Sequence, residues 1–126
     1  MRNGPMSDDR GAVTVEAAIA VCALVAVFGL VLAGVAAVVD QMRCTDAATQ
    51  AARMLARGTP ASAAERLVDA TAPEGATMTV DRVGGAVVVR VSVRPAGGLL
   101  PGVVARAEAR AELEPGVVGE VGDAPP

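Results

Sequence analysis

From Ala17 to Val39 the chain carries no charged residue, and this run constrains everything around it. Its length of about 23 residues would rise roughly 35 Å as a helix, enough to cross the ~30 Å hydrocarbon core of a bilayer. Burial of such a helix inside a soluble protein would need other helices to cover it. A chain of 126 residues with so little other helix-forming sequence does not supply them. A membrane-spanning helix is therefore expected over residues 12–39.

Glu16 stands at the head of this run. A carboxylate beside an apolar stretch is costly unless it is paired, protonated or drawn to the surface. At a helix start it also meets the positive end of the macrodipole, which favours it without any further role. The residues before it allow a sharper reading. Gly11 ends a short polar leader, and a cut after Gly11 would leave Ala12 with a free α-amine four residues before Glu16. Positions i and i+4 share a helix face, so the amine and carboxylate could neutralise each other within one subunit or between neighbours.

Gly11-Ala12-Val13-Thr14-Val15-Glu16, followed by the apolar run, resembles the class III (type IV) prepilin signal. The single helix with a small domain after it resembles the TadE-like minor pilins or pseudopilins of tight-adherence (Flp-type) pilus systems. The resemblance implies that a membrane prepilin peptidase cuts on the cytoplasmic side. Gly11 would precede the cut, Ala12 would be the mature N-terminus, and Glu16 the assembly glutamate. It covers about the first half of the chain. Ala17 replaces the aromatic that many relatives carry after the glutamate, and Ala12 the phenylalanine usual at the first mature position of ordinary type IV pilins. The partners implied are membrane lipid, the peptidase, other pilin or pseudopilin subunits and pilus assembly proteins. The N-terminus would be cytoplasmic and the C-terminal domain would face outward, extracellular if the chain enters a pilus.

Composition excludes several other functions. The chain has no histidine, the commonest metal ligand and general base, so neither a metal nor another cofactor is expected. No glycine loop followed by Lys and Ser/Thr is present to cradle phosphate, and the acids read as solvated charges, so neither catalysis nor a small-molecule substrate is expected. Arginines and acids are interspersed around a net charge of −3, with Phe28 the one aromatic, which argues against nucleic acid. Cys22 and Cys44 would lie roughly 33 Å apart on one helix, too far to pair. Cys22 reads as a packing residue. Cys44, just past the membrane, is a candidate thiol for cross-linking to another chain in an oxidising compartment, or else a free thiol.

Along the helix, Ala26, Gly29, Ala33 and Ala36 (or Ala37) recur as a seam of small residues that would let two backbones approach closely. Alanine and glycine are also simply frequent in this chain. The helix is expected to continue past the membrane as a stalk over residues 40–57, because Ala47, Ala48, Ala51, Ala52 and Leu55 form an apolar stripe without Gly or Pro between them. Gly58-Thr59-Pro60 ends it. Thr59 is expected to cap a second helix with Pro60 at its first position, running to about Thr71.

Beyond Gly75 the period changes to two. Thr77 to Val83 and Ala86 to Arg94 read as strands joined at Gly84-Gly85, with Val87, Val89, Val91 and Val93 on one face. In Val104 to Glu114, helix propensity and periodicity disagree. Arg106, Glu108, Arg110, Glu112 and Glu114 take every second place, so a strand gathers them on one face where a helix would scatter them. A third strand is expected, its charges pairing with Arg90 and Arg94. Leu99 and Leu100 are expected to tuck against the core, and residues 115–126 to form a flexible tail.

The fold class expected is α+β: a long N-terminal helix, a short second helix and a small three-stranded antiparallel sheet. The domains are a leader (1–11), a transmembrane and assembly helix (12–39), a stalk (40–57), a head (59–114) and the tail. The function expected is that of a minor pilin or pseudopilin. The alternatives are an uncleaved single-pass anchor presenting a small envelope domain, and a secreted domain cut by signal peptidase near Ala37.

Overall fold

The computed structural model describes residues 8–95 and 101–116, and the fold class is the one expected. Helix α1 spans Asp8–Ala56, α2 Ala61–Thr71, and strands β1 Thr77–Val83, β2 Ala86–Val93 and β3 Ala105–Glu112 form an antiparallel sheet in the order β1-β2-β3. Residues 1–7 of the leader, Leu99 and Leu100, and residues 117–126 of the tail lie outside the described residues. The chain divides into two units after Val35, and α1 contributes to both.

Among the described residues α1 already runs from Asp8, so residues 8–11 of the leader are helical. Gly11 costs the helix about 1 kcal/mol relative to alanine. That is a small charge against the cooperativity of a helix this long. At the other end, α1 closes with a Schellman motif. Thr59 N–H donates to the Met54 carbonyl at 3.1 Å and Gly58 N–H to that of Leu55 at 3.0 Å, with Gly58 at φ 84°.

The second helix differs from expectation at its start. Pro60, not Thr59, is the N-cap, and Ala63 and Ala64 donate to its carbonyl. The proline ring fixes φ at −57° while ψ is free to stay extended at 144°, so the half-in, half-out geometry of a cap falls on Pro60 itself.

Past the apolar run the helix continues as expected to Ala56, and its apolar stripe lies in the core of the head. Cys44, Ala47, Ala48, Ala51, Ala52 and Leu55 are buried against Ala64 and Val68 of α2 and against Val87, Val89, Val91 and Val93 of β2. The alanines of the helix meet a sheet whose inner face is nearly all valine. Gly84 and Gly85, at φ 57° and 80°, make the two-residue turn that sets the β1–β2 register, with Val83 opposite Ala86.

Strand β3 is as expected, with alternate residues exposed and half-buried. Its solvent face pairs with its neighbours. Arg90 Nε donates to Glu108 Oε2 at 2.8 Å, and its Nη1 bonds Asp81 of β1, so one guanidinium ties all three strands. All three side chains are about half exposed, which keeps these pairs modest. Arg94 makes no such pair among the described residues.

A contact that the sequence did not announce fixes α1 to the sheet edge. Gln41 Nε2 donates to the Arg106 carbonyl at 2.6 Å, and Arg106 N–H donates to Gln41 Oε1 at 3.1 Å. The side-chain amide thus pairs with β3 as another strand would. At the far end, Glu114 N–H donates to the Ala56 carbonyl at 3.0 Å, and Arg57 meets Glu114 in an exposed ion pair at 3.8 Å.

Candidate functional site

The N-terminal part of α1 is the candidate site. Every residue from Asp9 to Leu32 is exposed, and the apolar ones point in all directions round the helix. Leu24 is 69% exposed, and Val25, Phe28 and Leu30 exceed 60%. The most apolar window has a mean hydropathy of 2.8 and none of it is buried in the protein. Water is a poor solvent for such a surface, and a helix apolar on every side suits a bilayer. By length and composition, α1 is able to cross a membrane.

Two polar side chains stand at its head, and they differ in what they meet. Thr14 Oγ1 donates to the Arg10 carbonyl at 2.9 Å, so its hydroxyl is satisfied within the helix. Ala12 and Glu16 share a helical face one turn apart, and Glu16 is exposed with no hydrogen-bond or ion-pair partner among the described residues. The Gly11–Ala12 bond lies inside the helix.

The fold does not call for a glycine at position 11. A Cβ built there meets nothing within 4 Å, and its φ is not in the left-handed region. The same holds at Gly29, which with Ala26, Ala33 and Ala36 forms the expected seam along one side of the helix. Ala26, Gly29 and Ala36 are exposed and Ala33 is half-buried.

Cys44 is a correction. Its side chain is fully buried in the head core beneath β2, so it has no face to present to another chain. Burial pushes its thiol above the ordinary range, and the nearby Asp40 charge adds to the shift. Its place just past the apolar run suggested a thiol open to another chain. The core lies there instead. Cys22 is exposed on the apolar helix, and both thiols are free. No group of three or more His, Cys, Asp or Glu suited to a metal occurs among the described residues.

Comparison with known proteins places the chain. No described protein family and no solved structure matches it. It is 45% identical over 101 residues to a protein of Mycobacterium tuberculosis named apoptosis inhibitor Rv3655c, an alignment covering 80% of this chain and 78% of that protein. The shared length exceeds what either the apolar helix or the head could supply alone, and the chain belongs to the family of that mycobacterial protein.

Proposed function

We propose that this protein is a minor pilin or pseudopilin of a tight-adherence, TadE-like system. The observation that carries the reading is the pair Gly11 and Glu16 at the head of an apolar stretch of helix exposed from Asp9 to Leu32. The fold makes no use of either identity, so each is free to answer to something outside the chain. The helix holds the chain in the membrane with its N-terminus cytoplasmic and its head outward. A prepilin peptidase cuts after Gly11, and the Ala12 amine so freed lies one turn from Glu16. The helix then moves from lipid into a bundle of pilin helices, where Glu16 sets the register because an unpaired carboxylate there is costly. The seam from Ala26 to Ala36 offers the close approach such a bundle needs. The chain itself performs no catalysis, and its partners are the peptidase, the other subunits and the assembly machinery.

The test is the mass of the chain recovered from native membranes. A chain beginning at Ala12, and a Glu16→Ala variant that inserts normally but is lost from assemblies, are the expected results. A chain that keeps residues 1–11, or a Glu16→Ala variant that assembles at the wild-type level, overturns the reading.

A second reading has an observation in its favour: the Gly11–Ala12 bond is folded into α1. A helical bond resists proteases, which favours an uncleaved single-pass anchor that presents the head to a partner. That reading would extend to this chain the inhibition of apoptosis named for the mycobacterial relative. Retention of residues 1–11 selects it.

A further inference from the structure

The sheet has two outer edges, and their hydrogen-bonding groups fit each other. Arg106 turns its N–H and C=O away from β2, toward Gln41. By the alternation of an antiparallel ladder, Glu108, Arg110 and Glu112 turn theirs outward too, and none of these has a partner among the described residues. Ser92, opposite Arg106, therefore faces β1, and the residues of β1 that point outward are Met78, Val80 and Arg82. On β3 the outward groups belong to residues whose side chains lie on the solvent face. On β1 they belong to residues on the core face.

This opposite parity decides how the edges can join. In an antiparallel pair, residues that bond each other share a face, so joining β3 to β1 that way would set charges beside core residues. In a parallel pair, each bonded residue sits between two whose side chains lie on the other face. Parallel addition of β1 to β3 therefore keeps both faces continuous. Strands β1 and β3 already run the same way within one sheet, so successive copies in one orientation present them in parallel. An antiparallel union of two β3 edges also keeps the faces. But the register that matches its charges sets each Arg106 against the other copy's Glu112, where Gln41 occupies the edge.

We propose that β1 of one copy adds in parallel to β3 of the next, joining the sheets head to tail into one continuous sheet. In this register Glu108 lies opposite Thr79 and Arg110 opposite Asp81, which places opposite charges together. The half-buried Ala107, Ala109 and Ala111 line up beside the larger Met78 and Val80, also half-buried. Gln41 covers the start of β3 and so fixes where the added strand can begin. The contact is heterologous, so it builds rings or filaments rather than closed pairs. It needs no cut at Gly11, and so stands apart from the pilus reading.

The test is disulfide trapping in the full-length chain in membranes, in a Cys22→Ala background. Thr79→Cys and Glu108→Cys lie on exposed positions in one row across the sheet, separated by β2. At two strand spacings, roughly 9–10 Å, they cannot pair within a chain. Oxidation of the double variant is expected to give a ladder of dimers, trimers and larger species that collapses on reduction. Arg110→Pro, which removes an outward N–H and no bond to β2, is expected to abolish every species above the monomer. The inference is overturned by a double variant that stays monomeric while the head remains folded by circular dichroism. It is equally overturned if Glu108→Cys alone gives as much dimer as the double variant, or if Arg110→Pro leaves the ladder intact. A ladder formed by a chain that keeps residues 1–11 would support this inference while removing the pilus reading.

Discussion

The two ends of α1 are alike in their alanine content and opposite in their surroundings. Toward the N-terminus the helix exposes Val, Leu, Ile and Phe on every side. Toward the C-terminus it buries a stripe of Cys44, Ala47, Ala48, Ala51, Ala52, Leu55 and Ala56, while Asp46, Gln50 and Arg53 face solvent. One continuous helix thus carries two kinds of surface. What tells them apart is whether polar residues return once per turn, not how apolar the helix is on average.

A pair of arginine substitutions gives the largest test of that division. Ala51→Arg places an unpaired charge in the fully buried stripe, and is expected to unfold the head while leaving the chain in the membrane fraction. Leu24→Arg does the reverse. It costs insertion about 2.5–3.5 kcal/mol near the centre of the apolar run and is expected to leave the head's thermal unfolding in detergent unchanged. If either variant disturbs both readouts, the two regions are not independent.

A smaller effect sharpens the head's side of the comparison. Gln41→Ala removes two hydrogen bonds to the β3 edge, but water can reach the freed groups, so the expected loss is about 1 kcal/mol. Thermal denaturation followed by circular dichroism checks it, and Met42→Ala, on an exposed neighbour, serves as the control.

The smallest effect depends on pH. Burial raises the Cys44 thiol in the folded head, so the unfolded chain gives up this proton first. Stability is therefore whole below the ordinary thiol value of about 8.5 and declines as pH rises past it toward the raised folded value. The chain has no lysine, tyrosine or histidine to mask the effect. Cys44→Ala is expected to flatten the decline in alkaline melting curves, whereas Cys22→Ala is expected to leave it in place.

Much of this fold was legible because its signals are periodic. The alternation of Arg106, Glu108, Arg110 and Glu112 overrode helix propensity, and the structure has a strand there. Gly84-Gly85 placed the hairpin. What escaped has no period. Gln41 is one amide on a helix, and its meaning lies in a strand far along the chain. Cys44 was misplaced because a stripe of alanines suits either a stalk or a core, and only the valine sheet facing it decides. Gly11 and Glu16 remain legible solely as a sequence pattern, since the fold around them requires neither.

The bond between Gln41 and Arg106 also sets a timetable. Its two ends are separated by 65 positions in the chain, so at about 5–20 residues per second the helix waits several seconds for its strand. For part of that interval the alanine stripe from Ala47 to Leu55 has been made while the β2 valines that cover it have not. The last-made strand therefore completes the head, and any delay in its delivery leaves the first-made helix as the segment at risk of the wrong company.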